Sequence, residues 1–166
     1  DWALTQGNRK LFDLATSTSI RINQGVPLPN IEGADDQFKE SVMLMRYLNT
    51  TRETDGNKEV IFAIGSGDNY GIYSQIPHGV TTYNGSPVGG WGGIAVFLNS
   101  VERFYTKNGK LPDLDPSFPK GNERFERAGI LVKGHENGIK LNTNREPRFY
   151  AMFSFDGDDY SPIMKD

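Results

Sequence analysis

The sequence predicts a mainly α-helical protein with short β-strands and long loops. Apolar residues recur every three or four positions in three separate stretches, which is the spacing of a helix face. One short, β-branched apolar run precedes a long glycine-rich segment. With 19 glycines and 9 prolines in 166 residues, these two residue types exceed their average usage of about 12%. Much of the chain is therefore expected in surface loops, where binding sites concentrate.

Two helices are predicted in the first 50 residues, over about 8–22 and 36–49. The first is expected to bury one apolar face, formed by Leu11, Leu14, Ala15, Thr18 and Ile22. Gly25 and the prolines that follow it end this helix. The second begins at a capping Asp35-Asp36 pair. Its expected buried face consists of Phe38, Val42, Met45 and Leu48.

The third helix is predicted over about 94–107, and two β elements complete the pattern. Residues 59–64 form a short apolar run, which favours a buried strand. Tyr150 to Phe155 alternates as a strand does, and Asp156-Gly157 is a hairpin turn signal. We therefore expect a β-hairpin over about 149–164. The chain starts at Asp1 and ends inside this hairpin, so residues 1–166 are expected to be a single, incomplete segment of a longer protein.

The segment 65–93 is the candidate binding site. It holds nine glycines, four aromatic residues and a single charge, Asp68. Aromatic rings stack on the C–H faces of sugars, and neighbouring polar groups can bind sugar hydroxyls, so this composition predicts glycan contacts. The candidate ligand-binding residues are Tyr70, Tyr73, His78, Tyr83, Asn84 and Trp91. The alternative, that these rings pack the loop onto the helices, stays open.

Charge and composition exclude several classes of function. The formal net charge is −3, from 18 basic and 21 acidic residues, so nucleic acid is not an expected partner. The chain has no cysteine, and its two histidines, His78 and His135, lack the spacing of metal ligands. No nucleophile elbow, dinucleotide fingerprint or Walker sequence is present. We expect no cofactor, no metal and no enzyme activity, although two facing carboxylates of a glycoside hydrolase cannot be recognised by spacing.

Two further motifs are assigned structural roles. Asp156 to Asp159 resembles part of a calcium loop, but the spaced ligands of an EF-hand are missing, so a hairpin turn is favoured. Arg145 and Arg148 flank Pro147. Their guanidinium groups are expected to tie loop carbonyls and carboxylates together.

Four stretches resemble, in order, motifs of the SusD/RagB family of nutrient-binding lipoproteins. They are Asn8–Ala15, Asn57–Ile64, Phe104–Pro112 with Asp115-Pro116, and Asn144–Ala151, in which Glu146 stands where the family usually has Asp. The last, Asn-Arg-Glu-Pro-Arg-Phe-Tyr-Ala, resembles the signature Arg-Asp-Pro-Arg-Phe-Tyr-Ala. The resemblance implies a SusD-like fold, a tetratricopeptide-type α–α superhelix with an irregular loop-rich subdomain, of which this chain is a central segment.

The resemblance also implies a role. Family members capture oligosaccharides or polysaccharides, and some capture peptides, for a SusC-like TonB-dependent transporter. The protein would lie on the surface of the outer membrane and touch the membrane only through a lipid anchor that this segment lacks. The expected function is therefore non-catalytic glycan binding. A protein-interaction scaffold or a peptide-capture component of the same kind of uptake complex is the alternative.

Overall fold

The computed structural model describes residues 9–60, 82–83, 86–87, 95–128 and 138–159. Four α-helices lie in these ranges: α1 (Leu14–Asn23), α2 (Asp36–Thr50), α3 (Leu98–Val101) and α4 (Pro147–Met152). Short 3-10 helices occupy Glu53–Asp55, Pro112–Leu114, Gly121–Phe125 and Lys140–Asn142. Two strands, β1 (Thr82–Tyr83) and β2 (Ser86–Pro87), form an antiparallel pair. The prediction of a mainly helical chain with short strands and long loops is confirmed.

Helix α1 starts at Leu14 rather than near residue 8, because the Asp13 carboxylate accepts a hydrogen bond from the backbone N–H of Thr16. Its predicted buried face is wrong. Leu14 and Ile22 are exposed, whereas Ser17 is fully buried. The reason is polar: the guanidinium of Arg21 meets the carboxylate of Glu40 on α2 at 2.6 Å, and this ion pair turns the polar side of α1 inward.

Helix α2 is the central helix, and it is buried on two sides. The Asp35 carboxylate caps it by accepting from the N–H of Phe38. One side packs in the first core cluster, whose buried residues are Ile31, Val42, Phe149, Tyr150 and Ala151. The other side packs in the second core cluster, whose buried residues are Phe12, Val26, Met43 and Tyr47. The predicted single face is thus divided: Phe38 and Met45 join the first cluster and Leu48 joins the second.

Helix α3 is much shorter than the predicted helix over 94–107, and Ile94 lies outside the described residues. The helix ends at Val101 because the backbone groups of the residues that follow bond to other parts of the chain. The Thr106 backbone pairs with that of Arg145 in an isolated antiparallel bridge, and the N–H of Lys107 donates to the carbonyl of Asn144 at 2.7 Å. These long-range bonds replace the helical ones.

The hairpin predicted to begin near residue 149 is wrong, because α4 occupies this stretch. Pro147 is the first helical residue, a position where its fixed φ and missing N–H cost nothing. Phe149, Tyr150 and Ala151 are buried by the helical turn. The Asp156-Gly157 pair does form a turn, and Gly157 adopts the φ of 90° that suits glycine. The predicted return strand at 160–164 lies outside the described residues.

The β1–β2 pair falls inside the segment predicted to be a loop. Thr82 lies opposite Pro87, and Tyr83 lies opposite Ser86. Of the strand predicted at 59–64, only Glu59 and Val60 are described, and neither is in a strand. Within the described ranges, no helix is long and apolar enough to cross a membrane.

Candidate functional site

The six candidate ligand residues fall almost wholly outside the described part of the chain. Tyr83 is the exception, because its backbone belongs to β1 and pairs with Ser86. The other five, Tyr70, Tyr73, His78, Asn84 and Trp91, lie outside the described residues. The sequence between the two strands is Asn84-Gly85, the pair that two-residue hairpin loops favour most. The structure does show how the described residues on either side of this segment are held.

Asn57 holds the entry to the segment. Its side chain is fully buried, and its amide nitrogen donates to the carbonyls of Leu48 and Thr51 at 3.0 and 3.1 Å. Its amide oxygen accepts from the N–H of Glu59 at 3.2 Å. One side chain therefore bonds three backbone groups, two carbonyls and one N–H. This arrangement fixes the path of the chain directly after α2.

Two further bonds tie the same entry to the residues before α1. The Glu59 carboxylate accepts from the backbone N–H of Phe12 at 2.8 Å, and Arg9 donates to the carbonyl of Val60 at 2.7 Å. The Arg9 guanidinium also meets the Glu53 carboxylate at 2.6 Å. The chain thus approaches the aromatic segment from a point that is bonded to the end of α2 and to the residues before α1.

Arg145 holds the exit. Its guanidinium donates to the carbonyl of Val101 and, at 3.1 Å, to that of Phe104. The side chains of these two residues pack against the first core cluster. The residues that follow the aromatic segment are therefore bound to the core by a charge-assisted contact. The described residues on either side of the segment, 57–60 and 101–104, are thus both bonded to other parts of the chain.

The environment of Arg145 is apolar. The residue is fully buried, and its guanidinium carbon lies 5.2 Å from the centre of the Phe118 ring and 4.6 Å from that of Phe149. Burial lowers the pKa of Arg145 to about 10, so the group stays charged at neutral pH. Ring faces and carbonyl dipoles, rather than a contacting carboxylate within the described residues, stabilise the charge. Arg145 thus connects the first core cluster to the backbone at Val101 and Phe104.

Arg148 lies in a different environment although it is only three residues away. Its side chain is half exposed and meets the Glu146 carboxylate at 2.8 Å. Its guanidinium also lies over the Phe104 ring, 4.9 Å from the centroid. Sequence reasoning treated the two arginines alike, since both flank Pro147. The structure separates them: Arg145 lies before α4, in the bridge with Thr106, and is buried, whereas Arg148 lies in the first turn of α4 and is half exposed.

Asp115, which the sequence analysis cited only as part of a family motif, organises a turn. Its buried carboxylate accepts hydrogen bonds from the Thr106 hydroxyl, the Asn108 amide at 3.0 Å, and both the hydroxyl and the N–H of Ser117. The bond from Thr106, followed by that from Ser117, holds the pKa of Asp115 well below its usual range. The Asp115-Pro116 pair, with Ser next, was the available signal, because Asp often bonds its own backbone two residues on.

An open cleft of about 670 Å³ lies beside this turn. One wall is the turn from Pro116 to Lys120, and the other is formed by Lys140, Thr143 and Asn144. The aromatic side chains of Phe118 and Tyr150 contribute to its lining. Its residues come from distant parts of the chain and share no periodic pattern, so the sequence offered no signal for it.

The acidic turn does not assemble a metal site in the described part of the chain, where no group of three or more His, Cys, Asp or Glu side chains comes together. Asp158 is instead placed in a poorly hydrated position, and burial raises its pKa to about 7. The inaccessible Oδ2 atom of Asp158 has no hydrogen-bond partner among the described residues.

Comparisons with known proteins point to one family. The model of the SusD family matches residues 39–164. Two solved structures, BT4246 and selenomethionine BT4246, are 40% and 39% identical to this chain, with TM-scores of 0.79 and 0.78. Each match covers 95% of this chain but only 26% or 27% of the other, so the chain spans about a quarter of these relatives. Among curated proteins none matches.

Proposed function

The chain belongs to the SusD family, and on that premise we propose that it captures a glycan at the cell surface for delivery to a TonB-dependent transporter. The observation that carries the proposal is the extent of the family match. Residues 39–164 include the whole aromatic segment 65–93 and both of the places that hold its ends. No bond of the glycan is broken in this proposal, and no cofactor takes part.

The proposed contacts come from the chemistry of the segment. The rings of Tyr70, Tyr73, Tyr83 and Trp91 would stack on the C–H faces of sugar units. His78 and Asn84 would bind sugar hydroxyls along the ring edges. Aromatic side chains suit this task because they offer a large contact area with few rotatable bonds. We expect weak binding, because a wet, shallow site must replace the water on every hydroxyl it binds.

The bonds on either side of the segment support this proposal. A loop that is ordered only when it binds loses conformational entropy at that moment, and this loss weakens affinity. Asn57 at the entry and Arg145 at the exit limit that loss for the residues nearest the ends. Capture rather than catalysis needs no more than such positioned contacts.

The partner and location follow from the same premise. The partner would be a SusC-like transporter, and the protein would lie on the outer surface of the outer membrane. Any membrane contact would be made through a lipid anchor. Nucleic acid is not a proposed partner, given the net charge of −3.

A scaffold or peptide-capture role is the second candidate. Several apolar side chains are well exposed, among them Phe97 at 82% and Leu114 at 70%. Exposed apolar side chains of this size are common at protein interaction sites. In that case the aromatic segment would support contacts to other proteins, and no glycan would be bound.

Affinity electrophoresis through gels that contain plant, host and storage polysaccharides tests the proposal. We expect at least one polysaccharide to retard the chain, and Trp91→Ala and Tyr73→Ala to abolish the retardation. Tyr105→Ala, which removes an exposed ring outside the segment, is the matched control and should not change it. Circular dichroism checks that each variant is folded.

Retardation that survives both substitutions would refute the proposed contacts. Retardation by no polysaccharide, with binding to a peptide array, would favour the second candidate. Release of reducing sugar during the assay would contradict a non-catalytic role.

A further inference from the structure

The cleft beside the Asp115 turn is a second candidate site, separate in sequence from the aromatic segment. Its volume of about 670 Å³ falls in the range of small-ligand sites, roughly 300–1,000 Å³. All of its described lining residues lie outside 61–94. A ligand in this cleft would therefore meet residues that the proposed glycan contacts do not use.

The charges of the described lining residues cancel. Two lysines, Lys120 and Lys140, and two glutamates, Glu32 and Glu123, line it. Lys140 already meets the carboxylates of Glu123 and Glu126, each at 3.0 Å, and Lys120 donates to the carbonyl of Pro112. Because two positive and two negative side chains balance, we expect no net attraction for a charged ligand of either sign.

The remaining lining suits a neutral ring with polar edges. Pro116 and Pro119 offer flat apolar surfaces on one wall, and the Asn144 side chain offers an amide on the other. An amide carries two donors and one acceptor, so it can bind adjacent hydroxyls of a sugar. The hydroxyl of Thr143 donates to the carbonyl of Lys140 and can still accept.

Asn144 is the unusual residue in this lining. It is the one non-glycine residue with a positive φ in the described ranges, at 52°. Its carbonyl is used by Lys107, but its exposed side-chain amide has no hydrogen-bond partner among the described residues. Glycine would adopt this backbone conformation at lower cost. Such uncommon backbone conformations concentrate at functional sites, and here the residue retains a free amide at the cleft.

Both walls are held in place without a ligand. The Asp115 carboxylate fixes the turn at Ser117 through two bonds, and Lys120 is tied back to Pro112. On the other side, Lys140 is held by its two glutamates. A site formed in advance loses less conformational entropy when the ligand binds.

We propose that this cleft binds one sugar unit of a neutral glycan, with the Asn144 amide as its main polar contact. The proposal rests on the proposed function and adds a second contact site to it. A glycan bound at both the aromatic segment and the cleft would dissociate more slowly than a glycan bound at only one of them, because the second contact forms at a high effective concentration.

The test uses the full chain labelled with ¹⁵N and follows amide NMR signals during titration with neutral hexasaccharides of glucose, xylose and mannose. We expect at least one of them to shift the side-chain signals of Asn144 together with backbone signals of the Pro116–Lys120 turn. Asn144→Gly removes the amide and keeps the backbone conformation, so it should fold normally. It should weaken binding at the cleft about tenfold, the effect of one lost hydrogen bond of about 1.4 kcal/mol.

Asn122→Ala is the matched control, because Asn122 is exposed and does not line the cleft. It should leave the affinity unchanged. Trp91→Ala separates this proposal from the function on which it rests. Shifts at the cleft should persist in that variant, whereas shifts confined to 65–93 in the parent chain would overturn the cleft proposal and leave glycan capture intact.

Three further results would also overturn the cleft proposal. The first is an unchanged affinity in Asn144→Gly. The second is stronger binding of an anionic oligogalacturonate than of any neutral probe, which would show that charge matters. The third is shifts produced only by an extended neutral hexapeptide, which would reassign the cleft to peptide. Binding of no hexasaccharide at either site would overturn both the cleft and the proposed function.

Discussion

The guanidinium of Arg145 lies 4.6 Å from the centre of the Phe149 ring, which belongs to the first core cluster. The pair lies beside the residues that follow the aromatic segment. Arg145 is fully buried and donates to two carbonyls of that exit, Val101 and Phe104. The pair therefore joins α4 to the part of the chain from which the proposed ligand contacts emerge.

Arg145→Lys should destabilise the chain by roughly 3 kcal/mol, because an ammonium cannot reach both carbonyls or stack flat on the rings, and a buried charge loses its partners. Urea unfolding followed by circular dichroism measures this change. Arg148→Lys is the matched control: its side chain is half exposed, so we expect a change within about 0.5 kcal/mol. Equal losses in the two variants would contradict the assigned difference.

Asn57→Ala should cost roughly 2–4 kcal/mol. The substitution leaves the carbonyls of Leu48 and Thr51 and the N–H of Glu59 without their partner in a partly buried position. Asn49→Ala removes an exposed amide that bonds only within its own helix and at one sulfur, so it should change stability by less than about 0.5 kcal/mol. The same unfolding experiment compares them, and a small loss for Asn57→Ala would show that water can replace the amide.

Ser17→Ala should stabilise the chain by about 1 kcal/mol. The Ser17 hydroxyl is buried between α1 and α2 and has no hydrogen-bond partner within the described residues. Alanine also has the higher helix propensity. Thermal unfolding measures the effect, with the exposed Ser19→Ala as the propensity control. If both variants gain equally, the hydroxyl itself carries no penalty.

Asp158 makes stability depend on pH in an unusual direction. Its pKa is raised to about 7 in the folded chain, mainly by burial and in the presence of Asp159, against the attraction of Arg46. The folded state therefore keeps a proton that the unfolded state loses near pH 4, so stability falls as pH rises from about 4 to 7 and then levels off.

Asp158→Asn should remove that fall. At about 1.4 kcal/mol per unit of pKa, the gain at pH 8 is at most about 4 kcal/mol, and at pH 4 the two chains should be equally stable. Urea unfolding at the two pH values tests this, and Asp156→Asn, in the neighbouring turn, serves as the control. A parent chain whose stability rises between pH 4 and 7, with no change on substitution, would contradict the buried placement of this carboxyl.

Sequence patterns predicted the parts of the fold where periodicity and capping agree. Helix α2 is such a case, since Asp35 caps it and Val42 occupies the centre of its apolar side. For α1 the pattern predicted the wrong side, because the Arg21–Glu40 ion pair between helices cannot be seen in periodicity. At α4 the spacing of Phe149, Tyr150 and Phe153 fits a helix as well as a strand. Proline at the first helical position was the signal that distinguishes them.

The candidate sites differ in how well each could be predicted from the sequence. The aromatic segment is recognisable because its composition is local, and its ligand contacts remain a prediction. The cleft depends on Glu32, Lys120 and Asn144, which meet only after the chain has folded. The Asp115 turn lies between these extremes, since its bonds to Thr106 and Ser117 span nine residues and two residues.

The first core cluster also constrains the order in which the protein can form during synthesis. Arg46 of α2 donates to the carbonyl of Tyr150, 104 residues further along the chain. At about 5–20 residues per second, the ribosome needs roughly 5–20 s to make that stretch. During this interval the second core cluster covers one side of α2, while Val42 on the other side stays uncovered until α4 has been made. Premature termination anywhere before Phe149 would therefore leave an apolar helix face open to aggregation.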